Sequence, residues 1–283
     1  KYALNDPVLF PRYAVLDPDL TMGMPASLTA TTGMDALTHA VEAYIGRANT
    51  VETREHALKA VELIMNNLEL VYNNPTNSSA RSAMLKASYL AGRAFTRAYV
   101  GNVHAMAHTF GGFYGIPHGL ANAVLLPIVL DYYGSAIYRQ LADLVRMTGL
   151  DNTATGSGVL SGGGSYVGSS AEDNANLGRR SAPDAPNMPN PSQEDAILAK
   201  RFIAHIRSMN ERMGIPSRLS PVKPEDLPVM VDRAYREANP LYPVPVILKR
   251  NQFRSLYLLV ASVSASSVSD TCDACASRSS ITY

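Results

Sequence analysis

Thr32-Gly33-Met34-Asp35-Ala36-Leu37-Thr38-His39-Ala40-Val41-Glu42-Ala43-Tyr44 sets a carboxylate and a histidine four positions apart in an apolar run. On a helix, positions i and i+4 share one face, so Asp35 and His39 point at one place. Further along, Gly101-Asn102-Val103-His104-Ala105-Met106-Ala107-His108 repeats that spacing, and Gly115-Ile116-Pro117-His118-Gly119 follows. Of the six histidines in the chain, four fall in these segments. One carboxylate with neutral imidazoles is ligand chemistry for Zn(II) or Fe(II). A lone HxxxH pair is often a satisfied core histidine. A carboxylate on a buried helix face is costly unless it is paired or bound to metal. The two pairs together predict a shared metal site.

The surroundings predict helices. Ser27-Leu28-Thr29-Ala30 opens one, and Leu37, Val41, Tyr44 and Ile45 carry its apolar stripe past the ligands. Ala57, Val61, Ile64, Leu68 and Tyr72 give helical spacing from Thr53 to Tyr72, and Ala80 to Ala98 reads as an alanine-rich helix for close packing. Ile197, Phe202, Ile206, Met209 and Met213 give another, stopped at Gly214-Ile215-Pro216. Before all of these, Pro7, Pro11, Pro18 and Pro25 exclude a helix, and Tyr13-Ala14-Val15-Leu16-Asp17 reads as a short strand. The expected plan is an extended junction segment (1–26), a helical metal-binding domain (27–150), a low-complexity insert (151–193), a helical continuation (194–258) and an irregular tail (259–283).

Composition narrows the class. Apolar residues make up 46% of 283, enough for a sizeable core, and the net charge of +1 gives no electrostatic case for nucleic acid or an anionic membrane. No run of eighteen apolar residues predicts a membrane span, and the first residues lack the apolar segment of a signal peptide. Cys272-Asp273-Ala274-Cys275 has no second pair, so the chain reads as cytoplasmic and reduced. Gly162-Gly163-Gly164-Ser165 has neither the strand before it nor the helix after it that a phosphate-cradling loop needs.

The two histidine-bearing runs, the second continuing through Ile116-Pro117-His118-Gly119-Leu120-Ala121-Asn122-Ala123, resemble the signatures of the iron-dependent (group III) alcohol dehydrogenases. The resemblance covers residues 1 to about 150 and resumes from about 198 to 258. It implies a mostly α fold: the helical bundle-like domain of the dehydroquinate synthase-like, iron-dependent alcohol dehydrogenase type. It implies metal ligands at Asp35, His39, His104 and His118. His108 then lines the site near the nicotinamide, and His108 and His118 are the cofactor-binding positions. The family also has an N-terminal α/β domain that binds the dinucleotide. No βαβ pattern or dinucleotide fingerprint occurs here, so the chain reads as the metal-binding half of such a protein, and its insert and tail suit an incomplete gene product.

The implied activity is hydride transfer between a small primary alcohol or aldehyde and NAD or NADP. Fe(II) is the expected metal, and the same ligands admit Zn(II). His108, one turn from His104, is the candidate for moving the hydroxyl proton. Glu42 shares the face of Asp35 and His39 and either orients a ligand imidazole or makes a surface ion pair. Pro117, with Gly111, Gly112 and Gly115, would turn the chain so that His118 returns to the centre. Phe113 and Tyr114 read as core packing. A homodimer is the assembly considered. Two rival functions stay open: a metal-dependent hydrolase, although neither motif contains a phosphate-gripping Arg or Lys, and a non-catalytic metal-binding or dimerisation module.

Overall fold

The computed structural model describes residues 6–9, 11–150, 190–219 and 222–261. Among them it is helical, and no strand is formed. The helices are α1 (Ala26–Ile45), α2 (Val51–Asn73), α3 (Ser78–Ala98), α4 (Asn102–Tyr114), α5 (His118–Tyr133), α6 (Tyr138–Thr148), α7 (Gln193–Arg212), α8 (Leu227–Ala238) and α9 (Arg250–Val260). Short 3₁₀ turns at Pro7–Leu9, Pro18–Thr21 and Gly134–Ala136 complete the elements.

Helix α1 is buried over most of its length from Thr29 to Ile45, which suits a helix at the centre of a domain. It packs against α2, α3 and α5, and Met34, Leu37, Ala40 and Val41 have no exposed surface. The alanines Ala87, Ala91, Ala94 and Ala98 form the buried stripe of α3, letting it lie close to its neighbours. Side chains set several helix starts. Thr50 and Thr53 form a capping box on α2, Asn77 caps α3, and Ser192 and Asp195 form a second box on α7. On the far side α6 packs on α7, while α8 packs on α4 and α9.

Two local solutions position the site. Helix α4 runs through Gly111 and Gly112 and ends at Gly115, whose φ of 64° is the left-handed conformation that closes a helix. Gly115 alone therefore makes the turn, and Pro117 stands at the start of α5 rather than at the end of α4. Helix α5 contains Pro127, which cannot donate to the Ala123 carbonyl. The Nδ2 of Asn210 on α7 donates to that carbonyl at 2.7 Å, so α5 continues with its backbone satisfied.

The expected strand at Tyr13–Asp17 is not formed. No neighbouring strand lies beside it among the described residues, and Tyr13 and Val15 are 89% and 90% exposed. A lone strand has no partner for its backbone hydrogen bonds and no face to bury. Helix α9 runs to Val260, two residues beyond the expected end of the helical continuation at 258, and Ala261 bridges to Leu219. Most of the expected insert, with its glycine run, and the tail cysteines lie outside the described residues. Among the described residues no single helix is long and apolar enough to cross a membrane.

Candidate metal centre

Asp35 and His39 lie one turn apart on α1, His104 is in the first turn of α4, and His118 is the first residue of α5. One ligand atom from each lies within 4.8 Å of the others. Close approach of α5 to α1 makes this meeting geometric rather than incidental. A Cβ on Gly119 would stand 2.3 Å from the Thr31 carbonyl oxygen, so only glycine allows the start of α5 to settle there.

The rings are held from behind. His39 is stacked between Phe95 of α3, at a centroid distance of 4.2 Å, and His104, at 4.3 Å. Glu42, one turn beyond His39, is 4% exposed. Its carboxylate accepts from the Gly101 and Val103 backbone N–H groups at 2.9 and 2.8 Å, capping α4. His104 Nδ1 lies 2.6 Å from the same carboxylate, which can only accept, so Nδ1 carries the hydrogen and Nε2 faces the cluster. Of the two readings of Glu42, the structure gives the orienting one.

Asn122, one turn after His118, was not singled out from the sequence, although the i+4 rule reaches it. Its Nδ2 donates to Asp35 Oδ1 at 2.5 Å and lies 3.1 and 3.2 Å from Nε2 of His104 and His118. Asn122 is fully buried, and its Oδ1 has no hydrogen-bond partner among the described residues. The chemistry of the donor set, three imidazoles and one carboxylate gathered at a buried point, fits a centre built for a cation.

The electrostatics agree. Burial alone would raise the Asp35 pKa, but His104, His39 and His118 outweigh it and hold the carboxyl well below the usual range. Burial, helped by His104, pushes His39 down to about 3, so its ring is a neutral donor at physiological pH. Burial also opposes charge on His104, yet Asp35 and Glu42 prevail and push it up to about 9. A cation must displace that proton at neutral pH. Metal affinity is therefore expected to rise about tenfold per pH unit from pH 7 toward 9 and then level off. About one proton per metal should be released at pH 7.5, readable by calorimetry in buffers of different ionisation enthalpy. No release would contradict the assignment of His104. The linkage sign is opposite for the metal-free fold: a raised pKa stabilises it below about 6.5, and that contribution is lost as pH passes about 9.

His108 stands apart from the four. Its ring lies parallel to that of His118, at a centroid distance of 5.1 Å and an interplanar angle of 14°, and its Nδ1 meets Glu237 on α8 at 2.5 Å. Phe113 and Tyr114 pack against the core, with Arg233 over the Phe113 ring and the Tyr114 hydroxyl donating to Asp226 at 2.7 Å.

A helical domain that turns three imidazoles and one carboxylate onto one point has the donor set to hold a metal ion. The family model for the C-terminal part of the Fe-containing alcohol dehydrogenase family matches residues 29–161. The chain is 38% identical over 231 residues to 1,3-propanediol dehydrogenase of Klebsiella pneumoniae, covering 81% of this chain and 50% of that protein. It is 39% identical over 150 residues to lactaldehyde reductase of Escherichia coli, covering 53% of this chain and 39% of that one. The fold superposes on the crystal structure of a 1,3-propanediol oxidoreductase with a TM-score of 0.67 at 35% identity, covering 85% of this chain and 53% of that one. The chain belongs to the iron-containing alcohol dehydrogenase family. It spans half or less of the length of these curated relatives.

Proposed function

We propose that this chain is the metal-holding half of a nicotinamide-dependent alcohol dehydrogenase or aldehyde reductase. The carrying observation is the convergence of Asp35, His39, His104 and His118 within 4.8 Å. Fe(II) is the metal we assign, since the family is iron-containing, and Zn(II) suits the same donors. When bound, the ion supplies Lewis acidity toward a substrate oxygen. The chain's own residues do the rest. Asp35 contributes the negative charge, His39 and His104 are packed so that their rings cannot turn away, and His118 closes the set from α5. His108, beside His118, is the group we assign to the hydroxyl proton, and both rings line the side where the nicotinamide would stand. Relatives named for propanediol and lactaldehyde support a short alcohol or aldehyde substrate.

The test is NAD(P)H oxidation with lactaldehyde and 3-hydroxypropanal by anaerobically iron-loaded protein. The 283 residues alone should take up metal but oxidise NAD(P)H negligibly, because no dinucleotide-binding sheet occurs among the described residues. Holding the nicotinamide beside the substrate is worth about 7–11 kcal/mol of barrier. Fusion to the α/β half of a relative should give metal-dependent turnover. A fused, metal-loaded and folded protein inert to every short alcohol and aldehyde would contradict the proposal. Esterase or phosphatase activity in its place would favour a hydrolase.

A further inference from the structure

We propose that Glu237 and Tyr242 form a clamp that fixes the tautomer and direction of the His108 ring. Both are positioning residues, and neither had a role predicted from the sequence. The inference rests on His108 being the proton-transfer group, as assigned above.

Three observations carry it. Glu237 Oε1 lies 2.5 Å from His108 Nδ1, bringing the last turn of α8 against α4 across 129 positions of sequence. The Tyr242 hydroxyl donates to the same Oε1 at 2.7 Å. The His108 ring lies flat against His118, so the clamp and the stacking hold it on two sides. The chemistry follows from the inventory of donors. A carboxylate only accepts, so Nδ1 of His108 must carry the hydrogen. In the neutral ring this leaves Nε2 as the basic nitrogen, able to take a proton from a hydroxyl or return one. Free neutral imidazole side chains mostly carry their hydrogen on Nε2, so without the clamp the wrong nitrogen would be basic most of the time. Tyr242 has its own part. Glu237 is about one-quarter exposed and would otherwise be free to swing into solvent, and a second donor on the same oxygen holds its rotamer. Burial and the Glu237 contact raise the Tyr242 pKa, so the phenol stays protonated and remains a donor. Neither Glu237 nor Tyr242 is one of the four clustered residues that would hold the metal.

The test reads the tautomer directly. Multiple-bond ¹⁵N–¹H spectra of the zinc-loaded 283-residue chain, with His108 assigned by its loss in His108→Gln, should show one Nδ1–H tautomer. Glu237→Ala should move the ring to mostly Nε2–H, while Glu237→Gln, which keeps an acceptor oxygen, should retain Nδ1–H. Tyr242→Phe should give a mixture. Zinc stoichiometry should stay at wild type throughout. An Nδ1–H ring persisting in Glu237→Ala, or an Nε2–H ring in the wild type, would overturn the clamp. In the fused enzyme, Glu237→Ala should lower kcat about tenfold or more with KM little changed, and Glu237→Gln should recover most of it. A shifted tautomer with unchanged kcat would leave the clamp standing and overturn the role of His108 on which its purpose rests.

Discussion

His104→Ala is expected to abolish stoichiometric metal uptake. His104 is 1% exposed, touches His39 face to face and presents Nε2 to the cluster while Glu42 holds Nδ1. No other described side chain stands ready to replace it. Outside the four, His108 is the imidazole at hand, but its centroid is 6.1 Å away and its Nδ1 is committed to Glu237. Removing one of four ligands also leaves Glu42 without its histidine, so the variant loses stability as well as metal. His118→Ala separates the two effects. His118 lies at the edge of the cluster, so this variant should stay folded by circular dichroism yet lose metal. Dialysis followed by metal analysis should give about one ion per chain for the wild type and under about a tenth for either variant. Wild-type stoichiometry in both would mean that the ligand set is wrong.

Glu42→Ala should be the most damaging substitution outside the ligands. It removes the acceptor for two backbone N–H groups at the start of α4 and for the His104 ring. Each donor left buried and unpaired costs about 1–3 kcal/mol, and breaking a buried charged pair costs about 3–5 kcal/mol. An overall loss of about 3–5 kcal/mol is expected, a large fraction of the about 5–15 kcal/mol of an ordinary domain. Any folded protein should bind metal about 10–100-fold more weakly, because the His104 ring is no longer oriented. Glu42→Gln keeps one acceptor oxygen and should fall between the two. Chemical denaturation and metal titration measure both effects. A Glu42→Ala protein as stable as wild type would show that the carboxylate neither caps α4 nor orients the ring.

Much of this site was legible because its logic is local. Asp35 with His39 needed only the i+4 rule, and the same rule reaches Asn122 from His118. Asn122 was passed over because an amide is not a ligand type, although its position was readable. His118 depended on a turn whose maker was ambiguous among three glycines and a proline, and only backbone conformation singles out Gly115. Glu237 and Phe95 were beyond reach. They arrive from α8 and α3, and no periodicity links a residue to a partner on another helix. Pro127 reads as a helix breaker, and only Asn210, 87 positions along the chain from the carbonyl it binds, explains why α5 continues. The segment at Tyr13–Asp17 shows the converse failure. Its β-favouring residues suit a strand, but strand formation is a property of a pair of segments.

One carboxylate and three imidazoles are expected to meet on a single ion. X-ray absorption of the iron-loaded chain, prepared anaerobically at one equivalent, tests it most directly. One Fe per chain is expected, with a first coordination shell of nitrogen and oxygen at about 2.0–2.2 Å and multiple-scattering features of three imidazoles. Two or fewer imidazoles, a sulfur scatterer, or iron that washes out at equimolar concentration would contradict it.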